Sequence, residues 1–291
     1  MPYLMLSLSA LMWSGNFVLS RAMHSAIPPV GLSFWRWAVA LVILLPFGLP
    51  HVRRQMPELM RHKGYIFAQA LLGVTGFNTL IYLAVQTTTA INAVLVNSCI
   101  PVIIVVISWM MYREKISARQ GIGVMVSLAG VLLIISKGDA GALFSLSFNK
   151  GDLLVLAAAF VWAMYSANLK RYPRELHPIG YLTGISIVGV AMILPFYLWE
   201  TLSGRAVELN LSTVVSVLYV SLFASVLAFI FWNRAVREVG ANKAGPFIHL
   251  MPVFSTILAV GFLDEKLMLY HIKGILIVFA GIALTTIRVR R

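Results

Sequence analysis

Apolar residues run through this chain in ten long blocks separated by short polar stretches. The blocks cover roughly 3–23, 30–50, 64–85, 91–112, 119–137, 151–170, 178–200, 212–236, 242–263 and 270–288. Each is close to the ~20 mostly apolar residues a helix needs to cross a bilayer core. Polar and aromatic residues inside the blocks recur at helical spacing: Trp13 and Phe17, Asn16 and Ser20, and Asn78 and Tyr82 are each four apart and share a face. The pattern predicts an all-α integral membrane protein of ten transmembrane helices. No connection is long enough to form a separate soluble domain.

The blocks also repeat. Ala10, Trp13, Pro29, Gly31 and Leu45-Pro46-Phe47 recur 149 residues later as Ala159, Trp162, Pro178, Gly180 and Leu194-Pro195-Phe196. Ala84, Ala93, Pro101, Glu114-Lys115, Gly123 and Gly130 recur 151 residues later as Ala235, Ala244, Pro252, Glu265-Lys266, Gly274 and Gly281. The expected organisation is a first repeat at 1–138 (helices 1–5), a connecting loop at 139–150 and a second repeat at 151–291 (helices 6–10). Five helices per half is an odd number, so the second half enters the membrane with the opposite orientation. Inverted repeats of this kind build many secondary transporters, with the substrate site where the halves meet near the midplane.

Composition agrees: 60% of the 291 residues are hydrophobic and only 11% charged, against about a quarter charged in soluble domains. The net charge of +13 raises the question of nucleic acid, and the location of the charge answers it. Sixteen of the 23 lysines and arginines fall on one side of the predicted topology, six on the other, and Arg36 lies within helix 2. This positive-inside bias places both termini in the cytoplasm and needs no nucleic-acid partner. The single cysteine, Cys99, allows no intrachain disulfide. The first block has no Lys or Arg before it and a mid-chain counterpart, so it reads as a retained helix rather than a signal peptide.

The candidate substrate-binding residues are Trp13, Asn16 and Phe17 on helix 1, Asn78 and Tyr82 on helix 3, Asn97 and Ser98 on helix 4, Trp162 and Tyr165 on helix 6, and His249 on helix 9. Aromatic rings can stack on a planar substrate or screen a cation. An asparagine at membrane depth needs a partner, and for Asn16, Asn78 and Asn97 a neighbouring helix and a substrate serve equally well. Trp109, Tyr112, Trp199 and Tyr270 read as interface anchors, and Trp232 has the same rival reading. Pro101 and Pro252 occupy matched helix interiors and free the carbonyls of Asn97 and Ile248, which predicts two bent helices lining a central cavity. Ser98 and His249 are a matched pair in those turns. Arg36 joins the prolines in a kink and gating set; it can snorkel outward, or pair with a buried polar group or an anionic substrate.

Gly123, Ser127 and Gly130 form a small-residue stripe, repeated in part by Gly274 and Gly281, which predicts close packing of helices 5 and 10. All ten acids fall in loops or at helix ends, so a membrane carboxylate that shuttles protons is absent and facilitated or weakly coupled transport is expected unless His249 serves. Glu114-Lys115 and Glu265-Lys266 read as local ion pairs or caps. No His-Glu-x-x-His, Gly-x-Gly-Asp or Gly-x-Ser-x-Gly motif is present, so no catalytic residue, metal or cofactor is expected. A membrane sensor lacks a soluble module to carry its signal.

The two five-helix halves, the Trp in the first helix of each, Arg36 in Phe-Trp-Arg-Trp, the Pro…Glu-Lys run through helix 4 and the Gly…Ala-Gly of helix 5 together resemble the EamA-type, ten-helix branch of the drug/metabolite transporter superfamily. Within it the chain is similar to bacterial YddG-type exporters of aromatic and other amino acids. The resemblance covers essentially the whole chain. It implies a basket-like fold, a cavity lined mainly by helices 1, 3, 4, 6, 8 and 9, alternating access, and a monomer in the bacterial inner membrane exporting small metabolites; drug/proton antiport is not expected, because helix 1 lacks the membrane Glu of the four-helix relatives. A broad drug or nucleotide-sugar carrier is the alternative; a nucleotide sugar would want several basic cavity groups, and only Arg36 and His249 are candidates.

Overall fold

The computed structural model describes residues 1–22, 27–139, 141, 149–262 and 267–287, with side chains left out at 17, 18, 20–22, 90, 91, 259 and 262. Most of the connecting loop at 139–150, the Glu265-Lys266 pair and the side chain of Phe17 therefore lie outside the described residues. Those residues are mostly helical and contain no strand. Eight helices are long and apolar enough to cross a membrane: Pro29–Arg54 (α2), Lys63–Ala84 (α3), Asn92–Tyr112 (in α4, made of Ala90–Asn97 and Ile100–Tyr112), Ala118–Ile135 (α5), Lys150–Arg171 (α6), Pro178–Leu202 (α7), Leu211–Val239 (α8) and Leu269–Thr286 (α10). Pro2–Ala22 (α1) precedes them, and α9 is a segmented rod of Ala241–Ala244, Gly245–His249 and Leu250–Phe262.

Helices related by the sequence repeat meet each other antiparallel. In α5 and α10, Gly123 faces Gly281 and Gly130 faces Gly274, as the small-residue stripe predicts. A Cβ built on Gly130 would sit 2.7 Å from the backbone nitrogen of Val278 and 2.8 Å from the carbonyl oxygen of Gly274. Without hydrophobic drive between helices in lipid, such backbone approach is a main source of association. In α2 and α7 each helix finishes the other. Glu200 near the end of α7 accepts from the Gly31 amide (2.7 Å) and the Val30 amide (3.4 Å) at the start of α2. Gln55, just past α2, accepts from the His177 amide at 2.9 Å and donates to the Glu175 carbonyl at 2.7 Å, at the start of α7. Anionic and amide oxygens at helix N-termini satisfy orphan donors there and favour the dipole.

The first helices of the two halves change places. α1 packs mainly on α8 and α9, whereas α6 packs mainly on α3 and α4. Asp152, buried in the first turn of α6, closes a capping box with Asn149, accepts from Asn92 at 3.1 Å and pairs with Thr88. Each half therefore supplies one wall of the other.

Four interruptions break the helical ladders. α3 and α8 carry π segments at Ala70–Gly76 and Val220–Leu227, which are repeat counterparts. α4 stops at Asn97 and restarts at Ile100, with Pro101 in the new first turn. α9 turns 3-10 over Gly245–His249, and Pro252 sits in the first turn that follows. The two prolines expected in bent helices each sit in the first turn after an interruption, where a missing N–H costs little.

Replacing Gly130 by Val should force α5 and α10 apart and lower stability by about 1–3 kcal/mol, an overpacking cost. Gly64→Ala, at an exposed position with nothing within 4 Å, should leave thermal unfolding in detergent unchanged. Equal melting of the two variants would contradict the interface.

Candidate functional site

The middle of the bundle is an aromatic cluster drawn from both halves. Trp13 of α1 and Trp162 of α6, repeat counterparts, meet edge to face with centroids 5.1 Å apart. Phe229, Trp232, Tyr165 and Phe77 pack around Trp162 at 4.8–5.7 Å. Trp13 donates its indole N–H to the Ala224 carbonyl at 3.0 Å, and Trp232 donates to the Ser166 hydroxyl at 3.2 Å. Trp232 is 1% exposed, so its reading as an interface anchor is corrected. Trp199 and Trp109, in contrast, face outward.

Each half holds one buried tyrosine–asparagine hydrogen bond. Tyr82 donates to Asn16 at 3.1 Å, and Tyr165 donates to Asn233 at 2.8 Å. Tyr165 is the repeat counterpart of Asn16, and Asn233 that of Tyr82. The same bond joins the same two helix positions with the residue types exchanged. Both bonds tie the first helix of one half to a third helix, α1 to α3 and α6 to α8.

Arg36 is fully buried beside the first of these pairs. Its Nε donates to Ser225 Oγ at 2.6 Å, Nη1 to Tyr82 OH at 2.8 Å and to Asn16 Oδ1 at 3.5 Å, and Nη2 to the Ala224 carbonyl at 2.9 Å. Ala224 and Ser225 lie in the π segment of α8, whose wider turn leaves carbonyls available to side chains. The counterpart of Ala224 is Gly73 in the π segment of α3, and its carbonyl accepts from Asn78 at 3.3 Å. Arg36 does not snorkel outward.

The two segmented helices are joined through His249. Its Nε2 lies 2.9 Å from the Ser98 carbonyl and its Nδ1 2.7 Å from Ser127 Oγ. A carbonyl can only accept, so Nε2 carries a proton; Ser127 Oγ also lies 2.9 Å from the Val124 carbonyl, so its single proton is shared between that carbonyl and Nδ1. The matched pair Ser98 and His249 is thereby brought into direct contact. Ser98 spends its own hydroxyl on the Val94 carbonyl at 2.6 Å. Asn97 is the exception: its carboxamide oxygen is buried with no hydrogen-bond partner.

Trp13, Asn16, Arg36, Asn78, Asn97 and Trp162 line one small cavity, completed by Phe77, Ile100, Phe229, Ile248 and Met251. It encloses about 20 Å³, room for a water. Tyr82, Tyr165, Ser98 and His249 stand behind this lining. A larger space of about 230 Å³ shares Asn97, Ile248 and Met251 with it and runs on past Ser98, Ser255 and Thr256 between α4, α5 and α9. A third space of about 640 Å³ lies at the opposite helix ends, lined by Lys170, Arg174, Arg234 and Arg237 with Glu114 and Glu238. There Glu114 pairs with Lys170 at 2.6 Å and accepts from Asn242 at 3.3 Å, so its expected pairing with Lys115 is corrected; neighbouring side chains do not face each other. Arg237 covers the Tyr172 ring at 3.7 Å. Burial pushes the Tyr172 phenol up to about 12, with Arg237 pulling it partly back, so it stays a neutral donor to the Leu176 carbonyl. Burial, then the neighbouring His51, lowers His177.

Sequence reading passed over one polar knot. Gln69 is fully buried and donates to Tyr181 OH at 3.1 Å and the Tyr165 carbonyl at 3.4 Å, while Asn168 donates to its oxygen at 3.3 Å. A glutamine inside the apolar run Tyr65–Ala70 was the available signal.

Interrupted helices around a buried, mixed aromatic and polar cavity define a multi-pass membrane transporter, in which irregular backbone is tolerated where it lines a cavity. The sequence profile of the EamA-like transporter family matches residues 1–136 and again 149–287, and the chain belongs to that family. An uncharacterized transporter of Archaeoglobus fulgidus is 31% identical, covering 98% of this chain and 96% of its own. The uncharacterized transporters YetK and YyaM of Bacillus subtilis are 29% and 21% identical, covering 98% and 96% of this chain and 87% and 92% of their own. A crystal structure at 20% identity shares the fold with a TM-score of 0.79, over 98% of this chain and 96% of that one. The relatives' names describe transporters and no enzyme.

Giving the second half the first half's arrangement tests the exchanged bonds. Tyr165→Asn and Asn233→Tyr should each cost about 1–3 kcal/mol by stranding a buried polar group. The double variant should recover at least half of the summed loss in thermal unfolding; strictly additive losses would contradict the pairing.

Proposed function

We propose that this protein exports neutral amino acids, aromatic ones foremost, from the cytoplasm by alternating access through the cavity between its halves. In this reading 1–138 and 151–291 are inverted repeats joined by 139–150, all ten helices cross the membrane, and both termini are cytoplasmic. The protein works as a monomer in a bacterial cell membrane and uses no cofactor. The observation that carries the proposal is the pairing of Trp13 with Trp162 across the repeat, beside Asn97 and Arg36 in one buried cavity. Flat apolar surface with a few polar groups fits a small amphipathic substrate better than a sugar nucleotide, whose paired phosphates call for more than one buried cation. The antiparallel contacts of α5 with α10 and of α2 with α7 support the inversion. The ~230 Å³ space beyond Asn97 and the basic space at the opposite ends are the two vestibules. With the central cavity at ~20 Å³, the described conformation is closed around its site.

Purified protein in liposomes should exchange labelled phenylalanine or tryptophan, and Trp162→Ala should cut the rate about 10-fold or more while keeping the protein folded, an effect of the size of one lost stacking contact and its positioning. No carboxylate among the described residues lies mid-span, so downhill flux should persist without a proton gradient. Transport of sugar nucleotides alone, or flux abolished by collapsing the gradient, would contradict the proposal.

A further inference from the structure

Arg36 is the single cation in the middle of the described bundle, and everything it touches is neutral. Its hydrogen-bond partners are two hydroxyls, one carbonyl and one carboxamide oxygen, and its guanidinium carbon lies 5.8 Å from the centroid of the Trp37 ring. The three ion pairs among the described residues all lie at helix ends. A buried guanidinium without a carboxylate is expensive, and oriented neutral acceptors offset only part of the cost. The arrangement ties α2 to α1, α3 and α8, yet a neutral side chain could make that tie more cheaply. Arg36 also lines the cavity. Its Nη2 has one contact for two N–H groups, and the Nη1 contact to Asn16 is the longest of the set at 3.5 Å. In the same cavity Asn97, 6% exposed, has a carboxamide oxygen that accepts nothing. One lining group is an unmatched donor with a full charge, and another is an unmatched acceptor.

We infer that Arg36 anchors the carboxylate of the substrate and Asn97 accepts from its ammonium group, so that the cavity selects zwitterionic α-amino acids. This deepens the transport reading above and rests on it. A guanidinium presents a planar fork of donors that suits a carboxylate. The side chain of the substrate then lies against Trp162, Phe77 and Phe229, which line the same cavity. Substrate entry exchanges the long Asn16 contact for a charged one and supplies the counter-charge that the protein lacks.

The test is competition for labelled phenylalanine exchange in liposomes. The competitors are phenylalanine, its amide, which lacks the carboxylate, and phenyllactate, which lacks the ammonium. Wild type should need at least ~10-fold more of either analogue, because a site built for a polar group rejects a ligand without it. The amide penalty should shrink toward one in Arg36→Gln and persist in part in Arg36→Lys. The phenyllactate penalty should shrink in Asn97→Leu. Melting temperatures identify any variant that fails to fold, and the wild-type ratios stand without variants. Equal competition by phenylalanine and its amide in wild type, or an undiminished penalty in folded Arg36→Gln, overturns the inference while leaving amino-acid transport in place. If neither phenylalanine nor any other amino acid is carried, the transport reading fails and this inference with it.

Discussion

In hydrocarbon there is no water to satisfy a free backbone group, so a helix can be broken only where side chains or a cavity take over its hydrogen bonds. The centre of this molecule is organised by that constraint. At or beside each of the four interruptions a buried side chain meets a backbone carbonyl. The Ala224 carbonyl takes Trp13 and Arg36, and the Gly73 carbonyl takes Asn78. The Ser98 carbonyl takes His249, and the Met251 carbonyl takes the Ser14 hydroxyl at 3.0 Å. The residues that pay for the broken ladders also surround the cavity.

The constraint gives the two halves different tasks within one scaffold. α2 with α7 and α5 with α10 are like-with-like pairs, sealed by reciprocal capping and by glycine contact. They frame a centre where α1 and α6 are exchanged between halves and α3, α4, α8 and α9 are interrupted. The frame has little reason to deform, whereas the interrupted helices meet through single hydrogen bonds such as His249 to Ser98. In the proposed alternating-access cycle, the movement that opens the cavity to one side falls at those joints. Arg36 breaks the symmetry, since its repeat counterpart is the apolar Ile185.

Much of the frame was legible in the sequence because it depends on residue type at fixed spacing. The apolar blocks, the small-residue stripe and the matched prolines each carry a physical signature. Part of the candidate site was legible as a group: Trp13, Asn16, Asn78, Asn97 and Trp162 line one cavity, and the Ser98 carbonyl meets His249. Its bonding was not. A search for identical residues at repeat positions passes over Asn16–Tyr82 and Tyr165–Asn233, because the partners are exchanged. The π segments have no residue signature, so the acceptors of Arg36 could not be named. Gln69 and Tyr181 form their knot from helices far apart in the chain, beyond what local pattern reports.

The most direct test of this account is an experimentally determined structure with an aromatic amino acid bound. The account predicts the ligand between the halves, its ring against Trp162 and Phe229, its carboxylate within hydrogen-bond distance of the Arg36 guanidinium and its ammonium facing Asn97. A ligand held instead among Lys170, Arg174 and Arg237, with the central cavity still closed and Arg36 bonded only to its neutral partners, would contradict it.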